Sequence, residues 1–116
     1  MNDDELIICK VVCYNQAKID SLKKHIPSEQ VLSDGSEIFK AIGHPQRLAI
    51  LHVLLESECC VCDLANVLDQ PVSTISQHLK ILKTAGLLSS RQDGKLVFYT
   101  VNKPEFIKNS IVKDQN

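Results

Sequence analysis

The side chains with the widest chemical reach in this 116-residue chain are its five cysteines. Three of them sit in Cys59-Cys60-Val61-Cys62-Asp63, and Cys9 and Cys13 form a separate pair near the N-terminus. An odd count rules out a complete intramolecular disulfide framework, and clustered thiols in a reducing compartment indicate metal or redox chemistry. Cys60 and Cys62 fall at the expected start of a short helix, where the dipole and the free N–H groups favour the thiolate form that binds metal. A Cys-x-Cys pair entering a helix can direct both sulfurs to one side. Two ligands do not hold an ion firmly, and Cys9 and Cys13, four residues apart, would share a face if their arm were helical. Four thiolates prefer tetrahedral geometry and suit Cd(II), Pb(II) or Zn(II). Each feature also has a plainer reading. Cys9 and Cys13 could be ordinary residues of a β-prone arm, and Cys59 could be a small buried hydrophobe or a further ligand. Asp63 could accept a hydrogen bond at the helix start or tune a thiolate from behind.

A second constellation follows closely in the chain. Ser73, Thr74, Ser76, Gln77 and His78 gather short polar groups near the start of one helix, as reading base edges and phosphates in a major groove requires. Gln77 has the donor and acceptor to pair bidentately with adenine. Lys80 is placed for a phosphate, and Arg91 and Lys95 flank the tip of an expected hairpin that would lie along the DNA backbone. A solvated helix face is the bland alternative for the first group. His78 could touch DNA or pack beneath its helix, and no partner at helical spacing makes it a metal ligand. His25, His44 and His52 show no ligand pattern.

The elements that must position these groups are legible in the apolar spacing. Residues 6–13 are β-prone without clean alternation and read as an extended arm. Asn15 caps a short helix to about His25, with Ile19, Leu22 and Ile26 apolar, and Pro27 ends it. Ser33-Asp34-Gly35-Ser36 reads as a turn before a helix carrying Ile38, Phe39 and Ile42. Pro45 opens a helix over about 45–57 that is apolar nearly all round, as a central core helix should be. A short helix over about 60–68, a turn at Asp69-Gln70-Pro71 and a longer helix from Val72 or Ser73 to Ala85 follow, stopped by Gly86. In the longer helix Ile75, Leu79 and Leu82 face inward. Asp93-Gly94 between Leu87–Gln92 and Lys95–Val101 predicts a hairpin. A last helix is expected over about 104–113, with Phe106, Ile107, Ile111 and Val112 apolar. The fold class is therefore mainly α with a β-hairpin wing (α+β), a winged helix-turn-helix. Its organisation is an arm and short helix carrying Cys9 and Cys13 over 1–33, then a DNA-binding domain over 34–116.

Composition agrees with one aliphatic core: 44% of residues are hydrophobic, 4% are aromatic and none is Trp. No apolar run approaches the roughly 20 residues that span a bilayer. The acidic start, Met1-Asn2-Asp3-Asp4-Glu5, is unlike a secretory signal, so the expected location is the cytoplasm, with no membrane partner. Residues 1–69 hold 11 acids and 6 bases, while residues 70–116 hold 3 acids and 7 bases, so a polyanion would meet the C-terminal part. No nucleophile–base pair, phosphate-cradling loop or pocket carboxylate pair is evident, so neither an enzyme nor a small-molecule substrate is expected.

Taken together, Glu58-Cys59-Cys60-Val61-Cys62-Asp63-Leu64-Ala65, Ser76-Gln77-His78-Leu79-Lys80-Ile81-Leu82, Gly86-Leu87-Leu88 and Gly94-Lys95-Leu96-Val97-Phe98-Tyr99 resemble the ArsR/SmtB family of metal-sensing repressors. The similarity covers about residues 34–107. It implies a homodimer, with a C-terminal dimerisation helix, that binds double-stranded operator DNA when metal-free and leaves it on binding metal. Cys9-Lys10-Val11-Val12-Cys13-Tyr14 resembles the N-terminal arm of the CadC branch. That likeness implies the ligand set Cys9, Cys13, Cys60 and Cys62, an arm that reaches the partner subunit's helix, and Cd(II) and Pb(II) as inducers ahead of Zn(II). Two departures narrow the choice. The arsenite-sensing branch has a third cysteine where this chain has Ala65, leaving Cys59, Cys60 and Cys62 as the alternative As(III) set. The zinc-sensing branch has Asp and His ligands on its last helix, where this chain reads Asn102-Lys103-Pro104-Glu105. Cys59 stands where the motif usually has Leu. Two other readings stay open: a repressor of the same fold switched by thiol oxidation or persulfide, through a disulfide such as Cys9–Cys60, and a zinc-storing or interaction module that no longer meets DNA.

Overall fold

Six helices and one hairpin make up the described part of the chain, residues 15–102 and 104–111 of a computed structural model. The extended arm, Cys9, Cys13, Lys103 and Val112 lie outside the described residues, as do the side chains of Phe106 and Ile111. Contacts divide the chain into two units between Leu32 and Ser33.

The first described helix, α1 (Gln16–Lys23), begins where Asn15 Oδ1 accepts the Lys18 N–H at 3.0 Å. This relieves one of the N–H groups that no helical carbonyl can reach. Helix α2 (Glu29–Ile42) corrects an expectation, because it runs without a break through Ser33-Asp34-Gly35-Ser36. A stripe of Val31, Gly35, Ile38 and Ile42 repeats at helical spacing straight through the turn-forming residues. One glycine in a helix costs only about 1 kcal/mol relative to Ala, which the apolar face outweighs. Ser36 Oγ donates back to the Ser33 carbonyl at 3.1 Å, a local bond that a helix accommodates.

Pro45 opens α3 (Pro45–Glu56) at a position whose N–H would be unsatisfied in any residue. Helix α3 buries Ile50, Leu51 and Leu54 in the core of the second unit. Helix α4 (Val61–Leu68) buries Leu64 and Ala65, and Asp69 ends it in the left-handed region at φ 54°. The following helix α5 (Val72–Thr84) turns Ile75, Leu79 and Leu82 wholly inward, so α4 and α5 form a helix-turn-helix against one core. Gly86 at φ 82° closes α5: its N–H reaches the Lys83 carbonyl at 2.9 Å, and the Leu87 N–H reaches the Leu82 carbonyl at 3.0 Å. That double bond pattern needs a left-handed residue after the helix, which a glycine supplies without steric penalty.

Strands β1 (Leu88–Asp93) and β2 (Leu96–Val101) pair antiparallel, with Asp93 opposite Leu96 and Leu88 opposite Val101. The turn therefore consists of Gly94-Lys95, one residue later than the Asp93-Gly94 reading. Gly94 alone of the two has positive φ, 65°, which places glycine first in a two-residue loop as the II′ hairpin geometry demands. Cys59 adds a one-residue third strand: its N–H donates to the Tyr99 carbonyl at 3.3 Å, and its carbonyl accepts the Tyr99 N–H at 2.8 Å. The last described helix, α6 (Pro104–Ile111), buries Ile107 completely and packs on α3.

Candidate nucleic-acid interface and cysteine site

The outer face of α5 carries the polar residues singled out in the sequence. Ser73, Ser76, Gln77 and Lys80 are exposed, while Thr74 and His78 are half-buried along the edges. Pro71 precedes the helix, and no side chain caps its first turn. The leading N–H groups of α5 are thus open to an outside acceptor, and their partial positive charge suits a phosphate oxygen. Thr74 turns further inward than its periodicity suggested, while His78 lies on the flank, where its partners are clear. Its Nδ1 lies 3.4 Å from the Arg47 guanidinium, and its ring lies 4.7 Å from that of His44. Burial, with further help from His44 and Arg47, holds the His78 pKa below the ordinary value, so the ring stays neutral near pH 7.

Arg47 and His44 were not apparent as orienting groups, because Arg47 acts through contacts that only folding brings together and His44 through a helix cap. Arg47 Nε donates to the Ala41 carbonyl at the end of α2, and His44 Nδ1 accepts the Gln46 N–H at 3.1 Å, capping α3. Together they brace the middle of α5 from behind. Lys80 additionally lines an open cleft of about 660 Å³ with Ile38, Arg47 and Ile81; it holds none of the cysteines.

The wing places its two basic candidates differently. Lys95 is exposed in the turn itself. Arg91 is engaged within the protein: both carboxylate oxygens of Glu58 accept from it, Nε to Oε2 at 3.0 Å and Nη2 to Oε1 closer still. Its guanidinium also lies 4.9 Å from the Phe98 ring centroid and 3.8 Å from Asp93. The hydrogen bond from Arg91 is the main reason the Glu58 carboxyl titrates below its usual range, and the same bond raises Arg91.

Cys60 and Cys62 open α4 as expected, with Cys60 at the capping position, buried, and Cys62 exposed on the first turn. Asp63 Oδ2 accepts the Cys60 N–H at 3.2 Å, which settles its role as a helix-start acceptor. Cys59 belongs to the hydrophobic cluster with Leu54, Leu64 and Leu88, and its Sγ donates to the Ser57 carbonyl at 3.5 Å. Burial first, then the charges of Asp63, Cys60 and Glu58, push its thiol pKa up, away from the thiolate a metal needs. Packing is therefore the role its surroundings favour. Cys60 and Cys62 bring two thiols to the start of α4, and thiols of this kind suit a soft or borderline ion. Among the described residues no group of three or more His, Cys, Asp or Glu could hold a metal.

Residues 44–90 match the family model for bacterial regulatory proteins of the arsR family. Over 103 residues the chain is 41% identical to the cadmium resistance transcriptional regulatory protein CadC of Listeria innocua, covering 88% of this chain and 81% of that one. Among solved structures, HlyU from Vibrio cholerae superposes with a TM-score of 0.66 at 31% identity, covering 72% of this chain and 94% of its own. A homodimeric winged helix-turn-helix DNA-binding domain from Mycobacterium bovis gives 0.65 at 25% identity, covering 73% and 82%.

Proposed function

The chain belongs to the ArsR family of bacterial regulatory proteins, and on that footing we propose that it is a metal-responsive transcriptional repressor. It is not an enzyme, since its relatives and its fold are those of transcriptional regulators. In this reading a homodimer in the cytoplasm grips operator DNA when metal-free and releases it on binding Cd(II), Pb(II) or Zn(II). Among the described residues no helix is long and apolar enough to cross a membrane.

One observation carries the proposal. The Cys60/Cys62 turn begins α4, which packs directly on α5, so two thiols and the reading helix share one helix-turn-helix. Ser73, Thr74, Ser76 and Gln77 meet base edges and sugar-phosphate, while Lys80 and Lys95 contact phosphates. Cys60 and Cys62 bind the ion as thiolates, and Cys9 and Cys13 complete the set. An ion so held supplies strong soft-ligand bonds that tie two distant segments together. Coupling between two sites is typically about 1–3 kcal/mol, and a nearly complete switch needs about 5.5 kcal/mol of differential affinity. Thiolate bonds available in only one of two dimer geometries are strong enough to provide it.

The test is a titration of the reduced dimer on its own upstream DNA with cadmium, lead, zinc and arsenite. Cadmium should generate the ultraviolet thiolate-to-metal charge-transfer band and release DNA. Cys60→Ser should retain metal-free binding and lose metal-triggered release. If Cys60→Ser abolished metal-free binding instead, the separation of sensing from gripping would be wrong.

A further inference from the structure

Three consecutive residues ahead of α4 are each fastened to something different. Glu58 chelates the guanidinium of Arg91 on β1, and Cys59 exchanges two backbone hydrogen bonds with Tyr99 on β2. Cys60 gives its N–H to Asp63 in the first turn of α4. The segment from the thiol-bearing helix to the middle of the wing thus has no loosely held link. Its attachment points are adjacent across the hairpin, because Ser90 pairs with Tyr99 and Arg91 with Phe98. The base of the wing is pinned separately, by buried Leu88 and by Lys83 Nζ donating to Ser90 Oγ at 2.6 Å. Beyond those pins the hairpin projects through Gln92–Val97, all exposed, to the turn at Gly94-Lys95.

We propose that the strap Glu58-Cys59-Cys60 carries occupancy of the thiol site into the wing, with Glu58 and Arg91 as the positioning residues of that response. This rests on the sensor reading above and adds the route by which it reaches DNA. Ligation at Cys60 and Cys62 would pull on the start of α4, whose capping residue Cys60 adjoins the strand-like Cys59. Cys59 is bonded to β2 opposite the Ser90 pin and Glu58 to β1 one residue beyond it, so the pull would reach both wing strands and, through Arg91, tilt the tip about that pin. An exposed ion pair adds little net stability, so the geometry of the Glu58–Arg91 fork is its main contribution. Arg91 is one guanidinium facing two claims, Glu58 from within and a DNA phosphate from without. A wing held by the strap therefore presents Lys95 to the DNA while Arg91 stays with Glu58.

The experiment compares the full-length wild type, Glu58→Gln and the charge-swapped pair Glu58→Arg/Arg91→Glu by amide NMR, with and without cadmium chloride and without DNA. In the wild type, cadmium should shift the amides of Gln92 to Val97 together with those of the α4 turn. Glu58→Gln should keep the cadmium charge-transfer band and its midpoint, yet lose most of the wing shifts and speed hydrogen exchange at the Tyr99 amide. The swapped pair should recover both. On operator DNA, the ratio of metal-free to cadmium-loaded affinity should fall at least about fivefold in Glu58→Gln, the lower bound of ordinary coupling. A charge-transfer band with motionless wing amides in the wild type, or full wing shifts in Glu58→Gln, would overturn the strap alone. Absence of the band in the wild type would overturn the sensor reading, and the strap with it.

Discussion

Gln77, exposed on the outer face of α5, is the residue from which base discrimination should be measured. Gln77→Ala should cost roughly 1–3 kcal/mol on the operator and relax the preference at one base pair. Lys95→Ala should weaken all sequences alike and reduce the slope of log affinity against log salt by about one. Binding isotherms at several salt concentrations, on operator and random DNA, separate the two effects. His78 gives a pH signature. Its folded pKa lies below the unfolded value, so its contribution to stability is complete above the ordinary histidine range, roughly pH 6.5, and is lost as pH falls through the folded value. Denaturant unfolding should show stability dropping below that range, with a shallower drop in His78→Gln. At this scale the sequence exposed Cys60, Cys62 and the α5 polar set, because local spacing defines them. It did not expose Glu58 or Arg47, whose partners Arg91 and Ala41 are brought near only by folding.

Helix α5 shows how much one element decides. Ile75, Leu79 and Leu82 are buried almost completely, and Leu79→Ala should destabilise the fold by about 2–5 kcal/mol through lost transfer energy and the cavity left behind. Thermal and urea unfolding would measure this, and operator affinity should fall in parallel because the same side chain seats the reading face. Gly86→Ala should also be destabilising, although a Cβ there meets nothing within 4 Å, since the backbone at φ 82° is itself the obstacle. The four helices from Pro45 onward were readable because helix breakers and apolar spacing agree for each. The start of α2 was not, because Ser33-Asp34-Gly35-Ser36 has turn composition while the flanking apolar stripe demands a helix, and periodicity prevails over local preference. The hairpin was readable as a hairpin, but its turn lies one residue later. Asp93-Gly94 satisfies the usual pattern equally well, and only the pairing of Asp93 with Leu96 decides the register.

At the scale of the molecule, the acidic first part and basic second part make orientation on DNA an electrostatic matter despite a net charge of −1. Association should slow steeply as salt rises, while any thiol-bound ion should be little affected. The one-residue strand at Cys59 has a separate consequence for the colloidal behaviour of the chain. Strand β2 carries exposed Leu96 and Val97, and a strand margin that no other described strand covers is a template for growth from chain to chain. Cys59 takes up both backbone groups of Tyr99 on that side, so an incoming segment cannot lie flush along all of β2. A Pro at position 59 would delete the N–H half of this block, and fibril-sensitive dye fluorescence should rise in concentrated solutions of that variant before any loss of helix is seen.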